Sequence, residues 1–240
     1  MIKNAEAGFS EYEKLVKQVD KAFSEVEALH GDKVRCAVKC SDCCHALFDL
    51  SLIEAMYIKD RFDALTDTEK KEKILKKANR ADRDVYRIKR KASQDLDKGK
   101  DEFEIMAEMS LERVRCPLLN DDDMCDLYES RPITCRLYGI PTSIGGRGHT
   151  CGMSGFLENE KYPTANLDAI HRALYRISEE YAGSVQSRHS KIAELLLPLS
   201  MALLTDYNDE YLGIAPEKKT GEKDGDSAAG GKTAGRKKND

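Results

Sequence analysis

The chain has no long hydrophobic run. Its longest apolar stretch, from Leu195 to Leu204, is broken by Pro198 and Ser200 and is too short to cross a bilayer, so no membrane span is expected. The first residues, MIKNAEAGFSEYEKLV, are interrupted by charge and show no apolar core followed by a small-residue cleavage site, which points to a cytoplasmic location. Neither sign of charge dominates. Lys and Arg number 39 against 43 Asp and Glu, for a net charge of −4, and no general nucleic-acid-binding surface is expected from that balance. Alternation of apolar and polar residues is also missing over any strand-like length, which argues against a doubly wound sheet or a barrel. No spacing supports a Ser/His/Asp or Cys/His catalytic arrangement, so catalysis is the lesser expectation. The GGKT at positions 230–233 is not a phosphate loop, because the first glycine of that motif would fall on Asp226.

What the chain does have is charge spread over helical patterns. Charged residues make up 34% of it, and Ser10 with Glu13, Ser51 with Glu54 and Thr66 with Glu69 each spell a capping box, a signature of helix starts. Tyr12, Val16, Val19, Phe23 and Val26 recur in steps of four and three up to His30-Gly31. The same period returns in Ile74, Ala78, Ala81, Val85, Ile88 and Ala92, and in Leu167, Ile170, Leu174, Ile177 and Tyr181. A further helix is expected over about 190–207, kinked by Pro198. The fold class is therefore mainly α, a helical bundle with an irregular cysteine-rich metal-binding region. The stripes read as the core of an antiparallel bundle in preference to an intermolecular coiled coil, and a homodimer or protein partner through the helix at 66–97 stays open.

Eight cysteines fall in two groups, Cys36, Cys40, Cys43 and Cys44, then Cys116, Cys125, Cys135 and Cys151. In a reducing compartment such a set reads as thiolate ligation of zinc, iron or an iron–sulfur cluster, not as a disulfide framework. Cys36, Cys40 and Cys43 can be offered together by one tight turn. Cys44 is expected to face away from Cys43, since neighbouring residues project differently, toward a second metal, a larger cluster or the core. Two four-thiolate sites and one cluster with spare thiols both fit. Arg35, Lys39, Arg115 and Arg136 flank the cysteines and supply cations that favour thiolates. His45 and His149 each stand close enough in sequence to replace a thiolate. Asp121, Asp122 and Asp123 read as a solvated turn.

The pattern C-x3-C-x2-C-C from Cys36 to Cys44, followed by CPLLNDDDMCDLYESRPITCRLYG from Cys116 to Gly139, resembles the YkgJ-like cysteine-cluster family, zinc- or iron-chelating domains of the CxxCxxCC type. Cys116-Pro117, Leu119, Cys125, Tyr128, Arg131-Pro132 and Cys135-Arg136 carry the resemblance, which covers about residues 34–155. It implies a metal-binding domain whose ligands are drawn from the eight cysteines, with zinc, iron or a [4Fe–4S] cluster as cofactor. Relatives in that broad group include flagellin lysine N-methylases, which implies the alternative of an enzyme using an iron–sulfur cluster and S-adenosylmethionine. Against it, Asp42 stands where such enzymes have an aromatic, no Gly-Gly-Glu segment occurs, and the alternating β/α pattern is absent. A third alternative is an interaction protein with a structural metal. Arg131, Pro132 and Arg136 are expected to support the ligands. The expected organisation is an amphipathic helix over 1–33, a cysteine-cluster domain over 34–155 with the long helix of about 66–97 inserted, C-terminal helices over 156–214 on the same core, and a disordered tail over 215–240.

Overall fold

A computed structural model describes residues 2–216, apart from 38 and 158. Beyond Pro216 the expected tail lies outside the described residues. Among the described residues seven α-helices carry the fold: α1 Glu6–His30, α2 Leu52–Asp63, α3 Thr68–Asp97, α4 Glu102–Leu111, α5 Ile133–Leu137, α6 Leu167–Ser184 and α7 Leu199–Leu204. Strands are two or three residues long. β1 Asp49–Ser51 pairs antiparallel with β5 Leu196–Pro198, and β2 Thr142–Ile144 lies between β3 Arg147–His149 and β4 Ala165–Asn166. The architecture is mainly α, as its periodicity indicates.

The helix α2 sits at the centre. Leu52, Ile53, Ala55, Met56, Ile58 and Phe62 are all buried, so it is apolar on nearly every side and must be surrounded. Around it pack α1, α6 and α7, and α3 closes the far side against α7. Tyr12, Val19 and Val26 of α1, Leu174, Ile177 and Tyr181 of α6, and Ile74, Ala78, Ala81 and Val85 of α3 are the buried faces, the stripes read from spacing alone. Through Val85 the α3 stripe is satisfied within the chain.

Helix ends separate the capping rules that held from those that tertiary structure overrode. At Ser51 the box is complete: the Glu54 amide donates to Ser51 Oγ at 3.5 Å and the Ser51 amide donates to Glu54 Oε2 at 3.3 Å. Ser10 is not a cap, because α1 begins four residues earlier after Ala5, where Ala5 and Phe9 can still be buried. For α3 the cap is Asp67, which accepts from the Lys70 amide at 2.9 Å, and not Thr66. Pro198 kinks no helix. It ends β5 opposite Asp49 and caps the start of α7, since a proline disfavours helix in the residue before it but suits a helix entry.

Candidate metal centre

Three stretches of loop meet beside α2 and α3. The first runs from Arg35 to Phe48. Lys39 there has φ of 70°, a left-handed conformation uncommon for a residue with a Cβ, and the Cys40 amide closes a turn onto the Ala37 carbonyl at 2.9 Å. A single turn of 3₁₀-helix, Cys43–His45, follows. This stretch is zipped to the second: the Cys116 amide donates to the Cys44 carbonyl at 2.7 Å, the Val114 amide to the His45 carbonyl at 3.1 Å, and Ala46 forms an antiparallel bridge with Arg113. Arg113 also holds Asp42 through its carbonyl and its carboxylate. The two cysteine groups are thus joined by main-chain hydrogen bonds.

From Cys116 the chain makes a small hairpin. The Asp126 amide donates to the Leu118 carbonyl at 2.8 Å, and Asn120 Oδ1 accepts from the amides of Asp122 and Met124 at 3.0 and 2.9 Å, leaving Asp121, Asp122 and Asp123 exposed at the tip as a solvated turn. Two lysines of α3 moor this hairpin, Lys77 to the Leu119 carbonyl at 2.8 Å and Lys70 to the largely buried Asp126 carboxylate at 2.8 Å.

Cys135 rides on α5, whose position is set from the core. The buried Glu54 accepts from the Ile133 amide at 3.2 Å, so one carboxylate caps α2 and binds the first turn of α5. Burial holds this carboxyl above its ordinary value. Arg136 points the other way: its Nη1 reaches both Asp20 oxygens at 3.0 and 2.8 Å on α1, its Nε the Arg131 carbonyl at 2.9 Å, and its Nη2 the Glu129 carbonyl. Past α5, Gly139 has φ of 104°, and a Cβ on it would stand 2.9 Å from Cys36 Cβ. Glycine alone lets the two segments close here. A last loop is tied by the Gly155 amide to the Lys33 carbonyl at 2.8 Å and by Phe156, buried among His30 and Tyr162.

The result is one cavity of about 260 Å³ whose wall includes Cys36, Cys40, Cys43, Cys44, Cys116, Cys125 and Cys135. All eight cysteines are free thiols. Cys151 stands apart, its sulfur 3.7 Å from Asp42 Oδ2 and accepting from the Met153 amide at 3.4 Å, although its charge is felt at Cys36. Cys43 and Cys44 do not diverge. In the 3₁₀ turn both face the cavity, and Cys43 accepts hydrogen bonds from the thiols of Cys135 and Cys44, which hold it well below the ordinary thiol value. The same contacts with Cys43, with burial, hold Cys44 and Cys135 above it. Burial pushes Cys36 up to about 11 and Cys116 up to about 12. Main-chain amides oppose this at several sulfurs: Leu118 and Leu119 at Cys116, Leu127 at Cys125, Met153 and Ser154 at Cys151.

Lys39, Arg115 and Arg131 are the basic residues of this wall, and Arg131 is the one that acts on the sulfurs most widely. Its guanidinium stacks on Tyr128 with Cζ 4.1 Å from the ring centroid, its Nε is buried without a partner, and it lowers the proton affinity of Cys36, Cys43 and Cys125. The donor set of soft sulfurs, amides directed at them and compensating cations from Lys39, Arg115 and Arg131 fits a thiophilic ion or cluster. Among the described residues no three His, Cys, Asp or Glu side chains stand close enough to hold an ion as they are, so the cavity gathers donors without closing them on one point. His45 turns Nδ1 to the Ser41 carbonyl at 3.0 Å and His149 is exposed on β3; neither lines the cavity. Spacing pointed to the cysteines, and the family resemblance to Arg131. Neither revealed what Glu54, Asp42, Lys70, Lys77 or Gly139 do for the site, because they act through contacts between distant segments.

A cavity walled by thiols of three loop segments is the arrangement expected of a metal-binding domain. Residues 35–152, just under half of the 240-residue chain, match the family described as "CxxCxxCC: Putative zinc- or iron-chelating domain", and this stretch belongs to that family. No curated protein and no solved structure matches the chain. No helix among the described residues is long and apolar enough to cross a membrane.

Proposed function

We propose that the eight cysteines are the ligands of this chelating domain, and that the chain is a cytoplasmic metal-binding module holding zinc or iron and not an enzyme. One observation carries the reading: seven thiols from stretches far apart in sequence line a single cavity. Cys43, Cys44, Cys116, Cys125 and Cys135 would form the inner ligand set. Cys36, Cys40 and Cys151 would complete it from the outside, with Asp42 beside Cys151. When bound, the metal would supply the positive charge that lets neighbouring thiols ionise together; the chain's own part is to converge the sulfurs, direct amides at them and offset residual negative charge with Arg131.

The volume favours an iron–sulfur cluster as the second reading. A lone tetrahedral ion, with sulfurs at about 2.3 Å, needs little more room than one water, about 30 Å³, whereas the cavity is about 260 Å³. Anaerobic purification followed by elemental and acid-labile sulfide analysis separates the readings. Stoichiometric zinc without sulfide supports the ion, and iron with equimolar sulfide supports the cluster. Folded protein that holds neither metal and takes up neither would overturn the proposal.

A further inference from the structure

The cavity has two kinds of wall. The thiols occupy one side, on loops and α5. The apolar part of the lining is built by Ala81 and Val85 of α3, Leu199 at the start of α7, Pro198 of β5 and Phe48 just before β1. This second wall carries no side chain able to bind a metal, and α3 and α7 are packed directly against each other there. Ala81 and Val85 are each 6% exposed and both line the cavity. An apolar cavity of about 150 Å³ is enough to bind benzene in place of water, and this one, thiol side included, is about 260 Å³, more than a lone ion fills. Metal ligation explains the first wall and leaves the second without a use.

We propose that the apolar side of the cavity binds a small neutral molecule, a flat or branched hydrocarbon body of roughly the size of a bicyclic aromatic, lodged against α3 and α7 with one edge toward the thiols. The preference for a neutral ligand rests on the metal–thiolate reading, because several thiolates around a dication leave net negative charge that repels an anion. Lys39, Arg115 and Arg131 line the cavity and Asp123 offsets one of them, so the seven lining thiols, once ionised around a dication, leave the balance negative.

Indole is the probe. The chain contains no tryptophan, so indole emission excited beyond the tyrosine band comes from the probe alone. Metal-loaded protein, as purified, should shift that emission to the blue with saturation at one site per chain. Ala81→Leu and Val85→Phe, which fill the chamber, should weaken binding roughly tenfold or more with metal content unchanged. Tyr86→Ala, on the exposed face of the same helix, should bind as the wild type does. If Ala81→Leu fails to fold, Val85→Ile and Leu199→Phe make the same test with less overpacking. Unsaturable binding up to the solubility of indole, or wild-type affinity in the filled variants, overturns the chamber. Equal affinity for indole-3-acetate overturns the assignment to neutral ligands. Protein that takes up neither zinc nor iron yet binds indole in this chamber would refute the metal reading and leave the ligand site standing.

Discussion

The helix α2 and the first cysteine stretch are joined in the chain by β1, yet they are held by different forces. Seven of the twelve residues of α2 are buried, whereas none of the described residues between 35 and 49 is. Burying an aliphatic side chain contributes about 1.5–3 kcal/mol, enough to offset the entropy of ordering the residue that carries it. The cysteine stretch has no such return. It depends on backbone bonds to residues 113–116, on Arg113 holding Asp42, and on whatever joins its sulfurs. A helical frame that is stable through its own apolar packing can carry a loop region that is ordered only when a ligand pulls its thiols together.

The largest effect should come from removing metal. Hydrogen exchange of metal-loaded protein with and without excess chelator should show the amides of Cys44, Val114, Cys116 and Asp126 losing protection by orders of magnitude, with those of α2 and α6 nearly unchanged. Cys43→Ser should reproduce the pattern without chelator. Loss spread evenly over helices and loops would mean that frame and site fold as one unit, and the contrast would fail.

Glu54 joins the two regions, so it should come next. Glu54→Ala removes a capping box and leaves the Ile133 amide without its partner, which should lower stability by about 2–4 kcal/mol. Denaturant unfolding in excess chelator should show that loss undiminished, because it belongs to the frame. The pH dependence has a definite sign. The folded chain keeps the Glu54 proton to a higher pH than the unfolded chain, so stability from this group is greatest at low pH and declines as pH rises above its ordinary value of 4.5. Unfolding of chelated Glu54→Gln across that range should lack this decline.

Two arginines sharpen the contrast further. Arg136, with a side chain 9% exposed and clamped to Asp20, Glu129 and Arg131, should affect the frame: Arg136→Ala should lower stability by about 1–3 kcal/mol with metal stoichiometry preserved. Arg131, stacked in the thiol wall, should affect the site: Arg131→Ala should weaken metal retention roughly tenfold to a hundredfold in a chelator competition and change metal-free stability little. Exchanged outcomes would reverse their roles. The smallest effect belongs to Lys39. Its left-handed conformation suits glycine, so Lys39→Gly should shift the unfolding midpoint of the metal-loaded protein by no more than the equivalent of about 1 kcal/mol, and Lys39→Val should cost more.

Sequence by itself determined the helices whose apolar residues repeat at the helical period, the complete cap at Ser51 and the identity of the thiols. These are legible because a helix writes its buried face into neighbouring turns of the same segment, and because few other residue types offer a soft donor. Its reach ended where distant segments meet. The 190–207 region reads as one helix until β1 appears as a pairing partner for Leu196–Pro198, and a pairing across so many residues leaves no local period. Cys43 and Cys44 read as diverging until the 3₁₀ turn brings both to one cavity. Arg131 and Arg136 are only five residues apart, yet one faces sulfur and the other reaches α1, a division made by the direction of α5. That direction is set by Glu54, a buried carboxylate whose partner amide lies 79 residues away, and only the packed tertiary structure brings the two together.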